Sequence, residues 1–293
     1  MATSMQTEVP IERFEIFANG LDHPECCAFD RDGILWAGGE AGQLYRIDPQ
    51  GKAETIANLG GFCCGVALSP DDRELFVCVS GVGIVRATKS GKHSVFASHA
   101  GEHKIVAPNY LLFDRRGRLY VTDSGNWMKR KGFVTRFDRD GHGEVLAGPF
   151  GYANGLALTA DQRYLFMVES DSDSILRFEI SADDKLSEPE IYADQVGRLP
   201  DGIALDAEGN LYVCCYASDE IWRIGAGGRK TLLAHDRWGI LLGRPTNLAF
   251  GGKDFDVIYV ANLARYTITR ANIGFRGQPL TNFISQRSSG GEQ

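Results

Sequence analysis

Four side chains with oxygen donors, Glu25, Asn109, Asn154 and Asp201, stand at one position of a pattern that occurs six times along the chain. Each copy is a short entry, an apolar strand, an Asp- or Gly-rich turn and a second strand of the Leu-Tyr-Val kind. The copies read HPECCAFDRDGILWAGG, GFCCGVALSPDDRELFVCV, APNYLLFDRRGRLYVTD, YANGLALTADQRYLFMV, LPDGIALDAEGNLYVCC and RPTNLAFGGKDFDVIYVAN. Cys64 and Thr246 complete the register, and successive members are 39, 45, 45, 47 and 45 residues apart. Carboxylates and amides are what a hard divalent cation binds. Glu25, Asn154 and Asp201 are therefore candidate metal ligands, and Asn109 could add a further oxygen, to metal or to substrate. So few protein ligands leave positions for water and substrate, the arrangement of a catalytic metal. A plainer reading stands beside this one. Asn154-Gly155 and Asp201-Gly202 are common turn dipeptides whose side chains bond their own backbone. Glu25 has no such reason to occupy the register, because Glu is a poor turn former.

For these residues to meet, the repeats must surround an axis. A period near 40–45 residues built from short strands predicts an all-β, six-bladed β-propeller with four-stranded blades. The whole chain, 1–293, is then one domain, with blades beginning near 23, 61, 107, 152, 199 and 244. Alternating segments at 54–59, 93–98, 144–148, 190–194 and 230–235 supply the outermost strands of blades one to five. Blade six has no such segment after it, and RFEIFANG at 13–20 matches the missing piece. The N-terminal strand is thus expected to complete the last blade and close the ring, which removes exposed sheet edges. Residues 275–293 read as a tail whose Gly/Ser-rich end is expected to be disordered. DRDG at 30–33, DRRG at 114–117 and DAEG at 206–209 fit tight turns between first and second strands. The longest inserts, 99–108, 123–132 and 235–244, are where such a fold builds its pocket.

The net charge of −7 and the absence of a basic stripe speak against nucleic acid and anionic membranes as partners. The N-terminus lacks a charged start and apolar run, and no window approaches a membrane span. A soluble, cytoplasmic protein is expected, as a monomer or weak homodimer acting on a small-molecule substrate. The seven cysteines form no CxxC pair. They read as small buried hydrophobes, with Cys64 apart because it occupies the axial register.

Other matches carry less. His99-Ala-Gly-Glu102-His103 has the H-x-x-E-H spacing of a zinc peptidase class, but that needs a helix, and Gly101 and Pro108 disfavour one. Ser170-Asp171-Ser172-Asp173-Ser174 reads as an exposed hairpin loop. GxSxG, P-loop and GxGxxG patterns are absent, so serine-triad and nucleotide chemistry have no support.

The HPE entry, PNYLLFD, YANGLAL and PDGIALDAEGNLYV together resemble the SMP-30/gluconolactonase/luciferin-regenerating-enzyme family, from about Phe14 to Gly274. The resemblance implies a six-bladed propeller with one divalent metal held near the axis by Glu, Asn and Asp, which match Glu25, Asn154 and Asp201. It also implies hydrolysis of a lactone, often a sugar lactone, with Asn109 matching a residue that contacts metal or substrate. Sugar-lactone members often carry an Arg-x-Asn-Asp run in blade three, where this chain has Ala107-Pro108-Asn109-Tyr110. The Arg and Asp that would hold sugar hydroxyls are missing. Asp123, Asn126 and Trp127 follow, and Tyr110 and Tyr152 flank the axial residues, which suggests a less polar pocket.

The expectation is a divalent-metal-dependent lactonase. Asp201, with Glu25 as an alternative, assists proton transfer; Asn109, Tyr110 and Asp123 bind substrate. The metal is Ca first, with Zn, Mn, Mg or Fe as alternatives. Two other readings are a non-hydrolytic metal enzyme using the same axial site and a non-catalytic propeller that serves as an interaction module.

Overall fold

A computed structural model describes residues 6–284, and within them the six repeats are six antiparallel four-stranded sheets. The innermost strands are Cys26–Phe29, Cys63–Leu68, Pro108–Phe113, Ala153–Leu158, Pro200–Leu205 and Pro245–Gly251. Blades one to five run outward in chain order, ending at Ala53–Asn58, His93–Ala97, Gly143–Phe150, Glu190–Ala193 and Lys230–His235. Blade six takes its outer strand from the other end of the chain: Glu15–Asn19 pairs antiparallel with Thr267–Asn272, Glu15 opposite Arg270. Helical structure among the described residues is limited to four single 3-10 turns.

The first turn of several blades shows how the sequence dictates its geometry. Asp30 Oδ1 accepts from the backbone N–H of Asp32 and Ile34, Asp114 Oδ1 from Arg116 and Arg118, and Asp206 Oδ1 from Glu208 and Asn210. Gly33, Gly117 and Gly209 close these turns at φ of 76°, 79° and 85°, where a side chain would be strained. The second oxygen of each Asp reaches the following strand, through Trp36 Nε1, Arg118 Nε or Tyr212 Oη. In blades one, three and five one aspartate thus sets both the turn and the start of the second strand.

There is no single core. The buried apolar residues divide into six clusters, each wedged between two neighbouring blades. Cys26, Ala28 and Trp36 of blade one, for instance, pack on Val66, Val77 and Val85 of blade two. Burial of this kind contributes about 25 cal/mol per Å², and every wedge needs both its blades. The wedge between blades five and six also contains Val9 and Phe14, so the N-terminal segment is packed as well as paired.

Six of the seven cysteines are buried, Cys64 is half-buried, and all seven are free thiols. His99–Ala100 and His103–Lys104 form a two-stranded hairpin, not a helix, so the H-x-x-E-H spacing places no pair of histidines on one face. The segment read as a tail is ordered as far as Ile284. Gly277 bridges Asp206, Gln278 Nε2 donates to Leu158 O, and Asn282 Nδ2 donates to Phe29 O. These bonds carry it across the end of the channel opposite the axial register. The Gly/Ser-rich end, 285–293, lies outside the described residues.

Candidate metal and active site

A break in the ladder aims the axial residues. The inner and second strands pair regularly except between Pro108 and Leu111, Ala153 and Leu156, and Pro200 and Ile203, where the register shifts. Asn109, Asn154 and Asp201 each lie inside such a bulge, a device that re-aims side chains where a strand ends. The same shift flanks Cys64 and Thr246. Glu25 sits just before blade one's inner strand, its N–H on Gly38 O. The adjoining glycines permit the close approach of strands: a Cβ on Gly155 would meet the carbonyl oxygen of Asp201.

Glu25, Asn109 and Asn154 are buried and Asp201 is half-buried. Two of their oxygens lack any hydrogen-bond partner although they are sealed from solvent: Glu25 Oε2 and Asn154 Oδ1. Such an atom costs free energy unless something satisfies it. The Asn154 amide is oriented by Ser170. Its Nδ2 donates to Ser170 Oγ at 3.2 Å, and Ser170 Oγ in turn donates to Pro200 O at 2.6 Å. This chain turns Asn154 Oδ1 away from the loop and ties it to the residue preceding Asp201. On the other side Thr246 Oγ1 donates to the backbone oxygen of Glu25 at 2.8 Å.

Burial, and then the charge of Asp201, push the Glu25 carboxyl well above the usual carboxylate range. Burial likewise raises Asp201, to about 8, against a hydrogen bond from Asn154 that lowers it. Two facing carboxylates that resist ionisation, beside an orphaned amide oxygen, form a donor set that a divalent cation satisfies. Its charge and oxygen chemistry fit Ca²⁺, Mg²⁺, Mn²⁺ or Zn²⁺. Two other acidic groupings are spent on their own loops. Asp22, near His23 and Glu40, accepts from Ala41 N and Gln43 Nε2, and Asp138, near Asp140 and His142, accepts from the backbone of both.

Two of the residues expected to bind substrate are engaged within the protein. Asp123 does not open onto the axis: its carboxylate accepts from the N–H of Val106, Ala107 and Gly125 and lies 2.9 Å from His103 Nε2. Four partners use up its oxygens, and it serves to pin the 99–108 insert. Tyr110 also points elsewhere. Its hydroxyl donates to Ile203 O at 3.1 Å, reaching from blade three to blade five below the axial ring. Beyond it lies a cavity of about 370 Å³ at the strapped end of the channel. Leu68, Phe113, Leu158, Leu205 and Phe250 are among its walls, and no carboxylate lines it. It therefore offers shape without acid–base groups.

Sequence reading missed Ser170. Its setting in an Asp/Ser run signalled an exposed loop, whereas the residue is buried beneath Asn154. Glu169 was missed too; it is buried and holds Gly151 N at 2.7 Å and Arg130 at 3.1 Å. Tyr152 adopts φ of 60° and its ring meets Trp127 edge-on, with centroids 4.8 Å apart. Burial, then the neighbouring Asp201, Cys64 and Glu25, raise the Tyr152 phenol, which sets that residue beside the axial group.

The fold defines the class: a six-bladed β-propeller with a buried polar group at its axis. The SMP-30/Gluconolactonase/LRE-like family model matches residues 23–264, so the chain belongs to that family. It is 23% identical over 246 residues to a 6-deoxy-6-sulfogluconolactonase of Pseudomonas putida, covering 78% of each protein. It is also 23% identical over 244 residues to a pentonolactonase of Haloferax volcanii, covering 79% of this chain and 77% of that protein. The calcium-binding regucalcin of Agrobacterium tumefaciens has a similar structure, with a TM-score of 0.76 at 17% identity over 94% of this chain and 98% of that one. At that identity the likeness is one of fold.

Proposed function

We propose that this protein is a metal-dependent lactonase whose site is the axial group of Glu25, Asn154 and Asp201. The observation that carries the reading is the pair of buried, unpartnered oxygens, Glu25 Oε2 and Asn154 Oδ1, beside the raised carboxyl of Asp201. The family membership and the lactones named for its curated relatives support the reaction class. Those three residues would hold one divalent cation, Ca²⁺ first, which supplies Lewis acidity toward a carbonyl and makes a water a better nucleophile. Asn109, buried in the same register, presents an amide that can donate to the carbonyl oxygen of a ring ester. Asp201 accepts the proton of the attacking water. As the acyl C–O bond of the ring breaks, that proton passes to the departing oxygen, and lactone plus water becomes one hydroxy acid.

The test is elemental analysis of the purified protein and of Asp201→Asn, run beside hydrolysis of aliphatic and sugar lactones. About one equivalent of divalent metal in the wild type, and loss of both metal and turnover in the variant, is the expected result. Turnover that survives both the substitution and exhaustive chelation would overturn the reading.

A further inference from the structure

The loops at the mouth of the channel carry several exposed apolar side chains. In each blade the inner strand starts at this face, so the loops between second and third strands, and those leading into the next blade, all lie here. Val106, Trp127, Met128, Trp238, Ile240 and Tyr266 are exposed, and all six belong to these loops. Trp127 is the informative one. It is 45% exposed, yet its ring is held edge-on to Tyr152, two residues ahead of Asn154. An indole is placed in that way by packing on one side and left open on the other.

Two of the polar groups expected to meet substrate are engaged elsewhere, Asp123 on the 99–108 insert and Tyr110 on Ile203 O, while Arg130, paired with Glu169 at 3.1 Å, and Asn126 stay exposed. Ala107 and Pro108 lead into Asn109 and offer no side-chain donor. A polyhydroxylated ring would thus lose its hydration at this rim and recover few hydrogen bonds, at a cost for each unpaired hydroxyl. An apolar substituent would instead cover the open faces of Trp127 and Tyr152.

We infer that the preferred substrate is a lactone bearing an alkyl or aryl substituent, and that Trp127, set by Tyr152, is the specificity-determining residue. The inference rests on the lactonase reading and deepens it. Apolar contacts of this size discriminate by about ten- to two-hundredfold.

The experiment is steady-state kinetics of the metal-loaded enzyme on γ-butyrolactone, a γ-lactone bearing a long alkyl chain, dihydrocoumarin and glucono-δ-lactone. The substituted lactones should exceed gluconolactone in kcat/KM by at least about tenfold. In Trp127→Ala the ratio of kcat/KM for the alkyl lactone over γ-butyrolactone should drop about tenfold, through KM. Trp127→Phe should keep most of it. A preference for gluconolactone, or an unchanged ratio in a folded Trp127→Ala protein, would overturn the inference. If no lactone is opened, the lactonase reading falls by itself. Quenching of tryptophan fluorescence by the alkyl lactone, present in wild type and lost in Trp127→Phe, then still reads the apolar site, and its absence would sink that too.

Discussion

Ser170 shows how a residue outside the axial register can govern it. Its hydroxyl receives the Asn154 amide and donates to Pro200 O, so one oxygen links the strands of blades four and five that carry Asn154 and Asp201. Partners of this kind typically control metal affinity by ten- to a hundredfold. Ser170→Ala should therefore weaken divalent-cation binding by about tenfold, measured by calorimetry, while leaving the circular dichroism spectrum unchanged; full affinity would show that Asn154 needs no such orientation. The candidate ligands Glu25, Asn154 and Asp201 stood out in sequence because the repeat aligns them. Ser170 shares its place after the second strand with Ser80 and Ser124, and Ser124 Oγ makes the same bond to the next blade, to Ala153 O; what the pattern does not reveal is the side-chain contact with Asn154. Tyr110 and Asp123 show what the register leaves open. Both lie near the axial register, but direction is decided by bulge and loop, and the structure turns one down the channel and the other into the 99–108 insert.

At the scale of elements, strands and turns follow closely from the amino-acid pattern. Period-2 runs become strands, and Asp-Gly turns become turns because an aspartate oxygen captures two backbone donors at once. Ring closure was also readable, since blade six lacked a fourth strand and 13–20 matched it. What the pattern concealed was how firmly the N-terminal segment is packed: Phe14 is buried in the wedge between blades five and six. Phe14→Ala should cost about 3–5 kcal/mol, read as a lower midpoint in urea. A loss below about 1 kcal/mol would mean that pairing alone closes the ring. The ordered strap up to Ile284 went unread for a related reason. It makes scattered single bonds to several blades and so leaves no period in the sequence.

The whole ring gathers two carboxylates at one axis, and that has a thermodynamic signature. Asp201 in the fold titrates near 8 against an ordinary value of 3.8, and Glu25 shifts in the same direction. The folded protein therefore keeps protons that the unfolded chain has released. Stability is unaffected by this pair below the ordinary carboxylate range and is lost as pH rises from there toward about 8. Carboxyls that the fold lowers, such as Asp22 and Asp161, act below that range and leave the window from pH 5 to 8 clear. For chelated protein the Tm should fall by several degrees, at roughly 2–4 °C per kcal/mol, between pH 5 and 8. Saturating divalent cation should remove most of that fall, and Asp201→Asn should flatten it. A Tm of the chelated protein that is constant or rising over this interval would contradict the pairing. Sequence by itself determined the number of blades, their strands and the set of residues sharing the axial register, because repetition and alternation are local properties that survive translation along the chain. Only the tertiary structure decided which of their oxygens are left without a protein partner, which neighbours orient them and which aromatic rings stand at the mouth. Those outcomes depend on bulges, inter-blade contacts and loop packing, in which residues far apart in the chain meet.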